Sequence, residues 1–134
     1  MTANLEPAHR ARLDKELILW ITTVRADGQP QSHPVWFTVD GDHLLMWSKE
    51  GDRTRNLRDN NRVAVHVSDN GRGGDVLTIE GIAHIEPGLG PGSQHPEFVR
   101  RYQPLVDSSK NDWAWFDSTY KIPVRITPQK IRGS

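Results

Sequence analysis

Three short runs rich in β-branched and aromatic residues, separated by tight polar turns, constrain the fold of this chain more than any other feature. The runs are ILWITTV (18–24), SHPVWFTV (32–39) and HLLMWS (43–48). The segments between them, RADGQPQ and DGD, each contain an Asp-Gly pair, which is among the strongest hairpin signals that a sequence can carry. The three runs therefore predict an antiparallel meander.

Further runs extend this pattern to six strands. The fourth and fifth predicted strands, joined by the glycine-rich DNGRGG, and the last one are RVAVHVS (62–68), DVLTIEGIAHIEP (75–87) and KIPVRITPQKI (121–131). Strands and helices do not alternate regularly, so a doubly wound parallel sheet is disfavoured. The pattern predicts one mainly β domain over residues 1–134, a six-stranded antiparallel barrel with a few short helices.

Proline and glycine set the limits of the remaining elements. Pro7 can start a short N-terminal helix in EPAHRARLDKELI, and PEFVRRYQPLV predicts a second helix that Pro104 ends or kinks. Gly81 inside the fifth strand predicts a bend or a bulge. Pro123 and Pro128 favour a sheet edge or a bulge for the last strand, because proline donates no hydrogen bond to a neighbouring strand.

Charge and cysteine content exclude several classes of function. Lys and Arg number 17, as do Asp and Glu, so no net field favours nucleic acid or an anionic membrane, although a local basic patch can still bind one compact anion. The absence of cysteine excludes disulfides and thiolate chemistry and suits the cytoplasm. The longest apolar run, LILWI, is too short to span a membrane, and no secretory signal is expected.

Two other patterns carry little chemical information. The six histidines show no spacing typical of a metal site, so no metal is predicted. The segment EPGLGPGSQ resembles a dinucleotide-binding fingerprint, but Ser93 replaces the third glycine and Pro91 stiffens the turn. A loop is therefore the better interpretation of this segment.

The arginine-rich stretch GDRTRNLRDNN predicts a helix of one or two turns, with Asp52 or Thr54 as its N-cap. A helix N-terminus presents unpaired N–H groups, so Arg53 just before the helix and Arg55 in its first turn could converge on a phosphate. Arg58 would then pair with Asp59 or face solvent. On spacing alone, a solvated charged helix is the simpler interpretation.

The second strand favours a binding role for this region. In SHPVWFTV the alternation places His33, Val35, Phe37 and Val39 on one face, which supplies a core face without Trp36. Trp36, together with Trp47 and the WAWF cluster, offers flat apolar surface to a planar ring or to a partner subunit. Ordinary core or dimer packing is the alternative for each of these tryptophans.

In this order, the motifs resemble the split-barrel flavin and deazaflavin oxidoreductases related to pyridoxamine 5'-phosphate oxidase. The resemblance runs from about Leu17 to Glu86, and the last strand fits more loosely. It is carried by Thr22, Asp27, Gly28, Pro30, Pro34, Val35, Trp36 and Phe37 in the first part and by Arg53 to Leu57 in the second. The resemblance implies a split β-barrel that binds a flavin-type cofactor.

The resemblance also implies which residues hold the cofactor phosphate. In this family the basic helix start binds the phosphate, so Arg53 and Arg55, with Thr54 and Asn56 beside them, would form the phosphate clamp. Ser48, at the end of the third strand, would contact the phosphate or the ribityl chain.

The resemblance also implies which residues contact the cofactor ring and which part of a partner subunit closes the cavity. Backbone groups near Pro34 and Val35, and the side chain of Trp36, would lie against the ring system. Family members are usually homodimers with sites at the subunit interface, so the region Trp113 to Phe116 of a partner could close each cavity.

The expected cofactor is the deazaflavin F420, with FMN as the alternative, because the PVWF and TRNL forms and the small size resemble the F420 branch. The expected reaction is hydride transfer to a small planar, conjugated or quinone-like substrate. His33 or Tyr120 could donate a proton if either faces the cavity. A flavin-binding module without turnover is the alternative from another functional class.

Overall fold

In the computed structural model, which describes residues 2–133, a seven-stranded antiparallel sheet is accompanied by four α-helices. The strands are β1 (Leu19–Val24), β2 (Pro30–Val35), β3 (Phe37–Asp40), β4 (His43–Ser48), β5 (Arg62–His66), β6 (Leu77–Ile85) and β7 (Ile122–Gly133). The helices are α1 (Pro7–Lys15), α2 (Asp52–Asp59), α3 (Pro96–Ser108) and α4 (Trp113–Thr119), and two 3-10 turns lie at Pro87–Leu89 and Gly92–Gln94.

The order of the strands shows that the sheet curls round on itself. The order is β2-β1-β5-β6-β7-β4-β3, so the two edge strands, β2 and β3, are consecutive in the chain and are separated only by Trp36. Two extended residues span about 7 Å, so the two edges of the sheet must meet where the chain passes from one to the other. The fold is the predicted antiparallel split barrel, with its seam at Trp36.

The strand count differs from the prediction because the expected second strand, 32–39, is two strands. Strand β2 ends at Val35 and β3 begins at Phe37, and both residues are buried, as the alternation predicted. The pairing nevertheless changes at Trp36, because β2 pairs with β1 whereas β3 pairs with β4. The break at Trp36 therefore lets the chain change edges of the barrel.

The turns and the bulge follow the sequence closely. Gly28 and Gly41, in the two Asp-Gly pairs, have φ of 90° and 61°, the left-handed conformation that tight hairpins need. The register of β6 against β7 shifts at Gly81, which faces Pro128. A Cβ at Gly81 would lie 2.6 Å from the carbonyl oxygen of Thr127, so the strands approach closely only because this residue is glycine.

Of the alternatives predicted from the prolines, the bulge in the last strand is confirmed, whereas an edge position for that strand and an end of α3 at Pro104 are wrong. Strand β7 lies between β6 and β4 and not at an edge, and it accommodates Pro128 at the bulge. Pro104 does not end α3, which continues to Ser108. A proline inside a helix removes one hydrogen bond to the carbonyl four residues earlier and crowds that carbonyl with its ring, and α3 accommodates both effects.

Two apolar clusters stabilise the barrel and its helices. The first fills the barrel with aliphatic side chains, including Leu19, Ile21 and Ile126. The second is aromatic, and its buried members are Leu45, Trp47, Phe98, Tyr102 and Phe116. It lies between β4 and helices α3 and α4 and so places a rigid aromatic layer beside the barrel seam. None of the helices within residues 2–133 is both long and apolar enough to span a bilayer.

Candidate functional site

A cavity of about 280 Å³ lies at the barrel seam. The end of β2, the break between β2 and β3, the end of β4, the start of α2 and the region of α4 all contribute to its walls. Its lining residues are Pro34, Val35, Trp36, Trp47, Lys49, Arg53, Trp115, Phe116 and Tyr120. Five of these nine side chains are aromatic, so most of the wall is flat and apolar.

Trp36 belongs to a continuous aromatic stack along this wall. Its ring lies 4.5 Å from that of Tyr102 with 6° between the planes, and 5.7 Å from that of Phe116 with 9° between the planes. Phe116 in turn stacks on Tyr120 at 4.9 Å. The hydroxyl of Tyr102 accepts a hydrogen bond of 2.9 Å from the N–H of Phe37, directly after the break. The wall is therefore rigid before any ligand binds.

The most unusual group in the cavity is the guanidinium of Arg53. Its Nε is buried without a hydrogen-bond partner, and no acidic side chain of residues 2–133 pairs with it. Burial lowers its pKa from the ordinary value, and the nearby Tyr120 hydroxyl opposes part of this effect. A partly buried cation without a partner is costly, and an anion in the cavity would remove that cost.

The neighbouring acidic residues do not neutralise Arg53 because other arginines hold them. Glu50 is bound by Arg58, with N to O distances of 2.6 and 3.1 Å, and Asp52 is paired with Arg55. The hydrogen bonds from Arg58, and then that from Thr54, hold the pKa of Glu50 at about 2.

The second basic side chain of the cavity adds to this positive field. The Nζ of Lys49 lies 5.4 Å from the centre of the Tyr120 ring, a cation–π contact at the rim. No carboxylate lines the cavity among the described residues. Since its walls combine two cations with aromatic rings, the cavity suits a planar ligand that carries a phosphate or a similar anion.

Four of the eight residues assigned from the sequence line the cavity: Pro34, Val35, Trp36 and Arg53. The other four, Ser48, Thr54, Arg55 and Asn56, do not line it. Helix α2 begins at Asp52, so Arg53 lies inside its first turn and not before it, and the side chains of Arg53 and Arg55 diverge. Arg55 is exposed and does not converge with Arg53 as the spacing suggested.

Three of these four residues have structural contacts instead. Thr54 is fully buried: its hydroxyl accepts a hydrogen bond from Gly51 and donates one of 2.7 Å to Glu50, which fixes the start of α2. The amide of Asn56 donates to Thr23 at 3.0 Å and to Gln31 at 2.8 Å, which ties α2 to the first hairpin.

Ser48 is also fully buried, and its hydroxyl donates to the carbonyl of Lys49 at 3.1 Å. Arg58 pairs with Glu50, not with Asp59. His33 is exposed and lies outside the cavity, whereas Tyr120 lines it.

Several lining residues were not assigned to the cofactor site from the sequence. Lys49 and Trp47 come from the end of β4, where only Ser48 was selected. Trp115 and Phe116 line the cavity of their own chain, in line with the flat surface that the WAWF cluster offers to a planar ring, whereas the family resemblance suggested this region as the part of a partner that closes the cavity. The unusual density of aromatics in WAWF was the one signal for them, since nothing local relates α4 to the barrel seam.

An antiparallel split barrel with an aromatic and cationic cavity at its seam defines a protein of the flavin-binding split-barrel class. The chain belongs to the pyridoxamine 5'-phosphate oxidase family, because the family model with that description matches residues 5–89, more than half of its length. The family expected from the sequence is thereby confirmed.

Solved structures with the same fold have different ligands in their descriptions. An F420 reductase is 23% identical, with 92% of this chain and 94% of that chain covered and a TM-score of 0.70. A FAD-binding protein of Mesorhizobium loti is 20% identical over 98% and 93% of the two chains, with a TM-score of 0.68. A heme storage protein of Vibrio cholerae is 16% identical over 98% and 95%, with a TM-score of 0.65.

At these identities the similarity shows the fold alone. No curated protein matches the chain in sequence. Among residues 2–133, no three histidine or carboxylate side chains come together as a metal site would require.

Proposed function

We propose that this protein is an F420-dependent oxidoreductase that transfers a hydride to a small planar, conjugated or quinone-like substrate, with FMN as the alternative cofactor. The observation that carries the proposal is the unpaired, partly buried Arg53 at the end of an aromatic cavity. Family membership supports a flavin-type cofactor, and the PVWF and TRNL motifs, which resemble the F420 branch of the family, favour the deazaflavin.

In this proposal Arg53 binds the cofactor phosphate and Trp36 lies against the ring. The orphaned Nε of Arg53 would gain a charge-assisted hydrogen bond, which is among the stronger polar contacts in proteins. Backbone groups at Pro34 and Val35 would hold the polar edge of the ring. Thr54 and Asn56 would act indirectly, by fixing α2 and with it the position of Arg53.

When bound, the reduced cofactor supplies a hydride, and the protein orients the two reactants and excludes water. The aromatic wall formed by Trp36 and Phe116 keeps the site dry and presents a flat surface. Tyr120 is the hydroxyl-bearing side chain of the lining, so it is placed to give a proton to the reduced substrate.

We also propose that the protein is a homodimer whose second copy covers the open side of the cavity. At about 280 Å³ the cavity lies near the lower end of the range for ligand sites, roughly 300 to 1,000 Å³. At its rim Trp115 is 41% exposed, so part of its ring is available for a second copy to cover. Light scattering after gel filtration would measure the mass, and a monomer would refute this part of the proposal.

The proposal is tested by parallel titrations with F420, FMN and riboflavin, followed by tryptophan fluorescence. Tight F420 binding with weak FMN binding supports the deazaflavin assignment, and the reverse supports the flavin branch. Weak riboflavin binding supports the phosphate contact, because riboflavin has the ring and ribityl chain of FMN without its phosphate. Binding followed by oxidation of the reduced cofactor in a screen of planar acceptors supports an enzyme, whereas binding without turnover supports a storage module. Binding of none of the three refutes the proposal.

A further inference from the structure

The loop EPGLGPGSQ, whose glycines do not form a dinucleotide site, touches both sides of the cavity. On the strand side, the indole Nε1 of Trp47 donates a hydrogen bond of 2.9 Å to the carbonyl of Gly90. On the helix side, the side chain of Asp117 in α4 accepts two hydrogen bonds from Ser93, one from its N–H at 3.2 Å and one from its hydroxyl at 2.5 Å.

The same loop is the principal neighbour of α4. Among the helices and strands, α4 packs chiefly against the 3-10 turn Gly92–Gln94. A Cβ at Gly92 would lie 3.0 Å from the Phe116 ring and 3.1 Å from the Phe98 ring, so the turn and the aromatic cluster are in tight contact. This turn is therefore one of the contacts that position α4, beside the hydrogen bond of 2.9 Å from the indole of Trp113 to Gln103 in α3 and the stacking of Phe116 on Trp36.

We propose that Ser93 and Asp117 are positioning residues that set the separation between the two walls of the cavity and so control affinity for the ring of the ligand. One loop holds Trp47 on one side and, through Asp117, the helix that carries Trp115 and Phe116 on the other. This inference rests on the proposed function, since it concerns the same ligand.

The effect on the ring should be separable from the effect on the phosphate. Arg53 lies on α2, which Glu50, Thr54 and Asn56 hold in place without any contact from the loop. Loosening α4 therefore moves the ring wall, with Tyr120 at the end of the helix, while α2 keeps the hydrogen bonds that position Arg53.

The test compares Ser93→Ala with Ser93→Thr, which keeps the hydroxyl, and with Ser118→Ala as a matched control. Ser118 is also on α4, but its hydroxyl only donates to the carbonyl of Trp115 within the helix. Each variant is titrated with F420, FMN and riboflavin, and inorganic phosphate is used to compete with the better binder. Near-ultraviolet circular dichroism of the ligand-free protein reports on the stack of Trp36, Phe116 and Tyr120.

We expect Ser93→Ala to weaken the binding of riboflavin and of the phosphorylated ligand alike, by about 5- to 30-fold, as for coupled contacts of this kind. The inhibition constant of inorganic phosphate should not change. Ser93→Thr should restore affinity, and Ser118→Ala should match the wild type. The near-ultraviolet signal should fall only in Ser93→Ala.

Three results would overturn the inference: wild-type affinity in Ser93→Ala, an equal loss for inorganic phosphate, or the same loss in Ser118→Ala. If the wild type binds none of the ring ligands, that result refutes the proposed function and does not test the positioning role of Ser93 and Asp117. The near-ultraviolet signal then decides that role alone, and an unchanged signal in Ser93→Ala refutes it.

Discussion

Replacing Arg53 with methionine should have opposite consequences for ligand binding and for the stability of the free protein. The guanidinium has a buried Nε without a partner and no ion pair, so its removal takes away a desolvation cost and no hydrogen bond. Methionine retains much of the length of the side chain without its charge. The ligand-free variant should therefore be as stable as the wild type or slightly more stable, by up to about 1 kcal/mol.

Binding should weaken because the phosphate loses its charge-assisted partner. A loss of about 1 to 3 kcal/mol corresponds to a dissociation constant raised about 5- to 150-fold. At a ligand concentration 100 times the wild-type dissociation constant, the ligand stabilises the wild type by about 2.7 kcal/mol, and a variant that binds thirtyfold more weakly by only about 0.9 kcal/mol.

These free energies convert to a shift that a thermal melt resolves. For 134 residues, an unfolding entropy of about 2.1 cal/mol/K per residue makes 1 kcal/mol equivalent to about 3.6 °C. Saturating ligand should therefore raise the Tm by about 10 °C in the wild type and by about 3 °C in the variant. Scanning fluorimetry with and without ligand measures both effects in one experiment.

Arg55→Met is the matched control, since Arg55 lies two residues further along the same helix. It is exposed and paired with Asp52, an interaction worth about 0 to 1 kcal/mol. Its loss should leave the ligand-induced shift at the wild-type value. An unchanged dissociation constant in Arg53→Met, or an equal loss in Arg55→Met, would refute the phosphate assignment. Destabilisation of the free Arg53→Met protein by more than 1 kcal/mol would show that Arg53 has a partner without ligand.

Three further predictions concern the fold. Gly81→Ala should destabilise the protein by about 1 to 3 kcal/mol in urea unfolding, because the new Cβ would meet the backbone carbonyl of Thr127; wild-type stability would contradict the close approach of the strands. Tyr102→Phe should cost about 1 to 3 kcal/mol, because it leaves the N–H of Phe37 unpaired. Burial raises the pKa of Tyr102 above 10.0, so the wild type should lose stability as the pH rises past that value, and the variant should lose less. The pKa of Glu50 is held at about 2, so Glu50 contributes to the free energy of unfolding above its ordinary pKa of 4.5, and this contribution disappears as the pH falls toward 2. Glu50→Gln should therefore make stability depend less on pH between these values. An unchanged pH dependence would refute the low pKa of Glu50.

Local signals predicted the strands because local chemistry determines them. The Asp-Gly pairs adopt left-handed glycine conformations at Gly28 and Gly41, as the hairpins require. The break at Trp36 had no local signal, since Val35, Trp36 and Phe37 continue a run that suits a strand. Only the closing of the sheet shows that the chain must leave one edge and join the other at this point.

The cavity could be predicted only in part, for two physical reasons. The first is helix register: the sequence suggested Asp52 or Thr54 as the N-cap, but the N-cap is Gly51, and the start of the helix at Asp52 turns Arg53 into the cavity and Arg55 away from it. The second is distance along the chain. Phe116 meets Trp36 across 80 residues, and the sequence contains an aromatic cluster at each place without any relation between them.

The neutral composition of the chain and the cationic character of its cavity are consistent with each other. A neutral net charge does not require every charge to be paired, and the two acidic side chains at the start of α2, Glu50 and Asp52, are bound by Arg58 and Arg55 and not by Arg53. Arg53 is left without an acidic partner, and it faces a cavity whose described lining contains no carboxylate, so its charge can act on a ligand. Removing Arg58 should therefore free Glu50, one helical turn from Arg53, to compete with an anionic ligand. Arg58→Met should weaken phosphate binding in a salt-dependent manner although Arg58 never touches the cavity, and salt-independent, wild-type affinity would show that the pairing of Glu50 has no influence on Arg53.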